Sequence, residues 1–192
     1  MAARVIPISD QHIAEGCCQN DRNSQRLLYE RYFESLSLVC YRYIKDRSLV
    51  DDMVHEGFMK IFRNIQKYNG KGSLEGWMKR VMVNHCLDYL RKQGRQPHQV
   101  DLESGAGHRL SDEDIVSNLQ ANYILELIHQ LPELYRTVFN LNVIEGYPHK
   151  EIAKMLKVKE STSRAYLTEA KKMIRKKLQQ VESGAERWVQ NG

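Results

Sequence analysis

Long apolar runs are missing from this chain: no window approaches the length of a membrane span, and Met1 to Asp10 lacks the apolar core of a signal peptide. A cytoplasmic location and no membrane insertion are therefore expected. Cysteine is scarce, and Cys17, Cys18, Cys40 and Cys86 show neither the paired spacing of a zinc site nor the density of a secreted disulfide scaffold. Reduced, structural thiols are the expectation. Catalytic signatures are missing as well. No glycine-rich phosphate loop or nucleophile elbow occurs, and His55-Glu56 opens like a zinc-protease helix but has Met59 where the second histidine must stand. His85, Cys86 and Asp88 are neighbours in the chain yet fall on different faces of a helix. An enzyme is the weakest reading, and no metal, cofactor or small-molecule substrate is expected. Between Ser24 and Lys92 there is no convincing period-two stretch and no hairpin dipeptide between alternating segments, so that block is expected to be all helix.

What remains is helical periodicity, which predicts an all-α chain of two small domains within 192 residues. In the first block, residues 20–93, Leu28, Tyr32, Leu36, Val39 and Tyr43 line one face of a long helix. Met53, Val54, Phe58, Ile61, Phe62 and Ile65 line a second, with Ser48 as its expected cap and Asp51 and Asp52 in its first turn. The run Tyr68-Asn69-Gly70-Lys71-Gly72-Ser73 breaks the pattern, since two glycines and an asparagine permit backbone angles that helices do not use. Ser73 then caps a third helix reaching about Lys92, with Leu74, Trp77, Met78, Val81, Met82, His85 and Tyr89 inward.

Between Gly94 and Asn118 periodicity disappears. Gly94, Pro97, Gly105 and Gly107 sit among polar residues, and five acids outnumber Arg95 and Arg109, so a flexible acidic linker is expected. The second block, residues 119–180, opens with Ile124, Leu127, Ile128 and Leu131. Pro132 starts the next helix, where Leu134, Val138, Phe139, Leu141 and Val143 keep helical spacing until Gly146-Tyr147-Pro148. From Tyr147 to Lys177 the chain reads as a helix-turn-helix. Ile152, Ala153 and Leu156 face inward from its first helix, Lys157-Val158 breaks the chain, and Ala165, Ala170, Met173, Ile174 and Leu178 mark the inner face of the second. Residues 181–192 are expected to fray.

Charge is concentrated in that last helix. From Lys159 to Gln180 there are seven basic residues against Glu160 and Glu169, a net +5 that equals the formal charge of the whole chain. Such a concentration suits phosphate binding better than a merely solvated face. In the geometry of a recognition helix, Ser161, Thr162, Arg164, Ala165 and Thr168 meet base edges, while Lys171, Lys172 and Arg175 neutralise phosphate.

Five fragments resemble one family in the order it requires. Leu28-Tyr29-Glu30-Arg31-Tyr32 with Tyr43-Ile44-Lys45-Asp46-Arg47, and the run Asp51-Asp52-Met53-Val54-His55-Glu56-Gly57-Phe58, are similar to the opening of region 2 of the bacterial sigma-70 factors. Trp77-Met78-Lys79-Arg80-Val81 with Asn84-His85-Cys86-Leu87-Asp88-Tyr89 is similar to its promoter-reading end, and Leu131-Pro132-Glu133-Leu134 with Glu151-Ile152-Ala153 to region 4. With only the linker between the two blocks, the chain resembles the small extracytoplasmic-function (ECF) subgroup. That resemblance implies core RNA polymerase, promoter DNA and an anti-sigma factor as partners. It also implies core polymerase docking by Asp51, Asp52, Glu56 and Phe58, and −10 element binding by Tyr68, Lys71, Trp77, Arg80, Asn84, Asp88 and Arg91. The −35 element falls to Ser161, Thr162, Arg164, Ala165, Thr168, Lys171, Lys172 and Arg175. Lys157, Lys159, Ser163 and Glu169 depart from the family pattern, which commonly has Gly, Ser or Asn, Val and Arg there. A helix-turn-helix regulator that binds duplex DNA without polymerase is the alternative, and it leaves the first block without a role.

Overall fold

In the computed structural model, residues 8–93 and 123–190 are described, with side chains described through Gln180. The expected linker and the side chains of the tail lie outside those residues. Every regular element among the described residues is helical, and the chain divides into two compact units at Ala106–Gly107. No helix among them is long and apolar enough to cross a membrane.

The first unit holds α1 (Asp10–Cys18), α2 (Arg22–Tyr43), α3 (Arg47–Asn64) and α4 (Leu74–Gln93). Helix α1 is an addition to what the periodicity showed. Ser9 caps it by accepting from the His12 amide at 3.2 Å, Ile13, Ala14 and Cys17 are buried, and Asp10 pairs with Arg31 of α2 at 2.8 Å. The corner between α1 and α2 is tight: a Cβ on Gly16 would lie 2.1 Å from Ser24 Oγ. Leu28, Leu36, Val39 and Tyr43 of α2 are fully buried, as their spacing predicts. Val54, Phe58 and Ile61 of α3 and Met78, Met82 and Cys86 of α4 are buried as well, and both helices pack on α2, an almost wholly apolar core whose burial drives the unit together.

Two corrections concern α3. Its cap is Asp46, which accepts from the Ser48 amide at 2.9 Å, and not Ser48, whose hydroxyl donates to the same carboxylate. The helix therefore starts earlier, and Asp51 and Asp52 fall in its second turn. Ser73 does cap α4, accepting from the Gly76 amide at 3.0 Å, and Gly70 and Gly72 adopt the positive φ that the break between α3 and α4 demands.

The second unit holds α5 (residues 123–129), α6 (Glu133–Phe139), α7 (His149–Leu156) and α8 (Glu160–Gln190). Helix α6 passes into a widened π turn over Asn140–Ile144, where the Glu145 amide donates to the Asn140 carbonyl at 2.9 Å. Leu127, Ile128, Leu131, Val138, Leu141 and Ile152 form the core, whereas Ile124, Leu134 and Val143 are exposed, contrary to their spacing. Polar groups are buried here too: Arg136, Thr137, Asn140 and Ser163. Arg136 donates to the His129 carbonyl at 3.3 Å, tying α6 to the end of α5.

Candidate nucleic-acid and polymerase interfaces

Helix α3 presents Asp51, Asp52 and Glu56 to solvent on neighbouring turns. Phe58 does not join them. Its ring is buried, 4.6 Å from that of Tyr29 and 6.1 Å from that of Phe62, so it supports the acidic face from behind; the exposed apolar residue beside it is Met59. His55 is occupied structurally, with Nδ1 2.7 Å from the Asp51 carbonyl and Nε2 3.3 Å from the Tyr29 hydroxyl. Glu56 also lies 3.5 Å from Nε2 of the buried His85.

The loop before α4 is braced by two internal hydrogen bonds. Tyr68 donates its hydroxyl to the Gly72 carbonyl at 2.9 Å, and the Lys71 amide donates to Asn69 Oδ1 at 3.0 Å. The Tyr68 and Trp77 rings lie 5.9 Å apart, both partly exposed, so Trp77 is neither wholly core nor wholly free. Along α4, Arg80, Asn84, Asp88 and Arg91 follow one another at helical spacing. Arg80 and Asn84 are exposed and bond to no neighbour, which leaves the Asn84 amide able to pair with an adenine edge. Asp88 is different. It pairs with Arg91 at 3.1 Å and lies 3.8 Å from Lys60, which brings two cations to the same face. Lys60 is the member of this group that sequence spacing missed, since it belongs to α3.

In the second unit, α7 ends with Lys157 in the left-handed region, φ 56 and ψ 41, and the Val158 amide closes on the Ala153 carbonyl at 3.0 Å. A lysine makes the turn a glycine would make more cheaply. The inner face of α8 runs Ser163, Leu167 and Ala170, followed by the half-buried Met173 and Ile174. Ala165 and Leu178, expected on that face, are exposed.

Opposite lie Ser161, Arg164, Ala165, Thr168, Lys171, Lys172 and Arg175, all exposed, with Thr162 half-buried. Arg164 is held by Glu160 at 2.6 Å. An exposed pair of this kind contributes at most about 1 kcal/mol, so Arg164 can leave it for a guanine edge. Thr168 donates its hydroxyl to the Arg164 carbonyl at 3.0 Å and keeps its acceptor sites free. Lys177 turns away from this lane to Gln130, just past the end of α5.

An acidic helix face and an amide-bearing helix in one unit, with a cationic helix-turn-helix in the other, define a class of two-unit, all-helical DNA-binding proteins. Residues 28–96 match Sigma-70 region 2, and residues 121–174 match Sigma-70, region 4. The ECF RNA polymerase sigma-E factor of Haemophilus influenzae is 30% identical over 183 residues, covering 90% of this chain and 96% of that protein. Its counterpart in Escherichia coli K12 is 27% identical over 183 residues, covering 90% and 95%. Among solved structures, CnrH in complex with the cytosolic domain of CnrY shares the fold at a TM-score of 0.52 and 16% identity, over 88% of this chain and 97% of that one. The sigma factor RpoE in complex with the anti-sigma factor NepR from Bartonella quintana does so at 0.51 and 14%, over 80% and 96%. The chain belongs to the ECF RNA polymerase sigma factors, and it is an alternative sigma factor that directs transcription.

Proposed function

We propose that the first unit docks on core RNA polymerase and opens the −10 element, while the second reads the −35 element, in the cytoplasm and without making or breaking a covalent bond. The observation that carries this reading is the division of charge: an acidic face on α3 and a cationic lane on α8, in separate units. Asp51, Asp52 and Glu56 supply the acidic docking face, where complementary charge speeds oriented assembly. Separation also has a kinetic meaning. Two modest DNA contacts on one chain become tight when polymerase fixes their spacing, because the second binding event is then intramolecular.

Opening a promoter takes bases out of the stack at a cost of a few kcal/mol each, and an aromatic face returns about 1–3 kcal/mol per stacked base. The Tyr68 and Trp77 rings supply such a face, fixed in place by the Tyr68–Gly72 bond. Lys71, Arg80 and Arg91 hold phosphate beside it, and Asn84 reads an unpaired or duplex adenine. On α8, Arg164 discriminates a guanine, Ser161, Thr162, Ala165 and Thr168 fit the groove around it, and Lys171, Lys172 and Arg175 neutralise phosphates. An anti-sigma protein that covers these surfaces completes the partner set. In its support, the CnrH and RpoE structures were each captured with a second protein, named as an anti-sigma factor in the case of NepR.

Charge reversal of Asp51, Asp52 and Glu56 to lysine should abolish stoichiometric co-elution with core polymerase and leave the fold intact by circular dichroism. Undiminished co-elution would remove the acidic face from the docking site. A chain that occupies promoters equally well with no polymerase present would favour the polymerase-independent regulator instead.

A further inference from the structure

Ser163 is fully buried on the inner face of the recognition helix, at a position where the apolar pattern calls for a hydrocarbon. Its hydroxyl lies 2.9 Å from Nδ1 of His149, the first residue of α7. The imidazole is half-buried, and its other nitrogen, Nε2, has no partner in the protein and remains open to solvent. The charged groups that act on the ring are Arg164, Glu160 and Lys171 of α8. Glu160 and Arg164 stand one turn apart and Lys171 two turns further on, along a single lane of that helix, the lane that carries the cationic face. The π turn packed against α7, Asn140–Ile144, contains no titratable side chain, and Lys150 and Glu151 follow His149 on its own helix.

We infer that His149 is a phosphate-binding residue of the −35 interface, seated by Ser163 so that Nε2 faces the DNA backbone beside Arg164 and Lys171. The inference rests on the proposed reading of α8 as the −35 reader. Hydrogen-bond accounting supports it. If the Ser163 hydroxyl donates to Nδ1, the neutral ring carries its proton on Nε2; if the ring is protonated, Nδ1–H donates to the Ser163 oxygen and Nε2–H is again available. In both of these states Nε2 carries an N–H, at a position set by a buried anchor, which is what a backbone contact needs; a neutral ring protonated at Nδ1 would present only an acceptor there, and a phosphate selects against it. Valine at 163, common in the resembling family, could not provide the anchor.

Burial of the ring, followed by Arg164, holds the free imidazole below the ordinary histidine range, while Glu160 opposes them. A phosphate at Nε2 favours the charged form, so binding at mildly acidic pH takes up a proton.

The test uses the full chain in complex with core polymerase, on promoter fragments that this holoenzyme itself selects. Promoter-complex stability is measured against salt at pH 6.0 and pH 8.0, for the wild type, His149→Phe, His149→Gln and Ser163→Ala. Phenylalanine keeps the ring shape without a donor, and it should weaken the complex about tenfold at pH 6.0, uniformly across promoter sequences. It should also flatten the salt dependence by about one phosphate's worth, a slope change near 0.9. Ser163→Ala should weaken binding less, and His149→Gln, which retains a neutral donor, should recover part of the affinity but none of the difference between the two pH values. An unchanged salt slope in His149→Phe, or a loss confined to particular bases, overturns the inference. If His149→Phe fails to fold, the Gln and Ala variants decide it, because equality of both with the wild type at both pH values also overturns it. Failure of the wild-type holoenzyme to select any promoter would instead defeat the underlying reading of the chain.

Discussion

The two units bury different kinds of residue. In the first, three long helices close on Leu36, Val39, Val54, Ile61, Met78 and Met82, and His85 is the one buried polar side chain among its described residues. In the second, shorter helices bury Arg136, Thr137, Asn140 and Ser163 beside a smaller apolar set. Apolar packing is non-directional and tolerates exchange of similar shapes, whereas a buried polar group demands a partner in one place. The first unit is accordingly held by area and volume, and the second adds to its apolar core two directed contacts, Arg136 to the His129 carbonyl and Ser163 with His149.

The largest expected effect comes from exchanging one residue of each core for methionine. Arg136→Met removes the hydrogen bond to the His129 carbonyl from a buried site and should destabilise the second unit by about 2–3 kcal/mol. Leu36→Met in the first unit should cost less than about 1.5 kcal/mol. Hydrogen exchange resolved by unit measures both, and a second unit that is unmoved or stabilised by Arg136→Met would erase the contrast. Next in size is Arg164→Ala, which should lose about 1–3 kcal/mol of discrimination at one base pair. Lys171→Ala with Lys172→Ala should instead weaken all promoters alike and reduce the salt slope by about 1.8. Competition binding across a promoter library separates the two behaviours, and identical profiles would contradict the division of α8.

A smaller effect, of opposite sign, is expected at the left-handed Lys157. Lys157→Gly should stabilise the second unit by about 1 kcal/mol, read as a raised urea midpoint, and a lowered midpoint would show that the lysine stem supplies packing worth more than the backbone strain. The smallest is a pH drift in the first unit. Burial, with Lys60 next, holds His85 below the ordinary imidazole range, against the opposing pull of Glu56 and Asp88. The unfolded chain takes up this proton near pH 6.5 and the folded unit resists it. Stability from His85 is therefore complete above about pH 6.5 and declines as pH falls toward the lowered folded value. His85→Leu should flatten that part of the urea-midpoint profile; an unchanged profile would place the proton elsewhere.

The same contrast decides what could be read from the sequence. Helices α2, α3 and α4 are long enough for repeated Leu, Val, Ile, Phe and Met to set a phase, and their inner faces follow it. Helix α1 offers only Ile13, Ala14 and Cys17 over two and a half turns, too little for a period. Asp46 and Ser48 are both able caps two residues apart, and only the fold chooses between them. Phe58 was legible as a core residue and illegible as a surface one, since its side chain cannot serve both. In α8, treating Ala165 as apolar rotates the inner face, because alanine is nearly indifferent to burial; Leu167 sets the phase correctly and Ser163 falls in with it. The buried polar set was invisible for a physical reason. Arg136, Asn140 and Ser163 are read by composition as surface residues, and their burial depends on partners elsewhere in the fold. The −10 and −35 candidates all lie exposed or half-exposed, Trp77 and Ala165 among them although their spacing placed them inward, and Asp88 is paired with Arg91 and Lys60.

Run-off transcription on a fragmented genomic library, with core polymerase alone, this chain alone and the two combined, tests the division of labour between the units most directly. The combination should produce defined start sites that neither component gives, each preceded by two spaced sequence elements, and the upstream preference should change with Arg164→Ala while the downstream one changes with Asn84→Ala. No new starts, or starts indifferent to both substitutions, would contradict it.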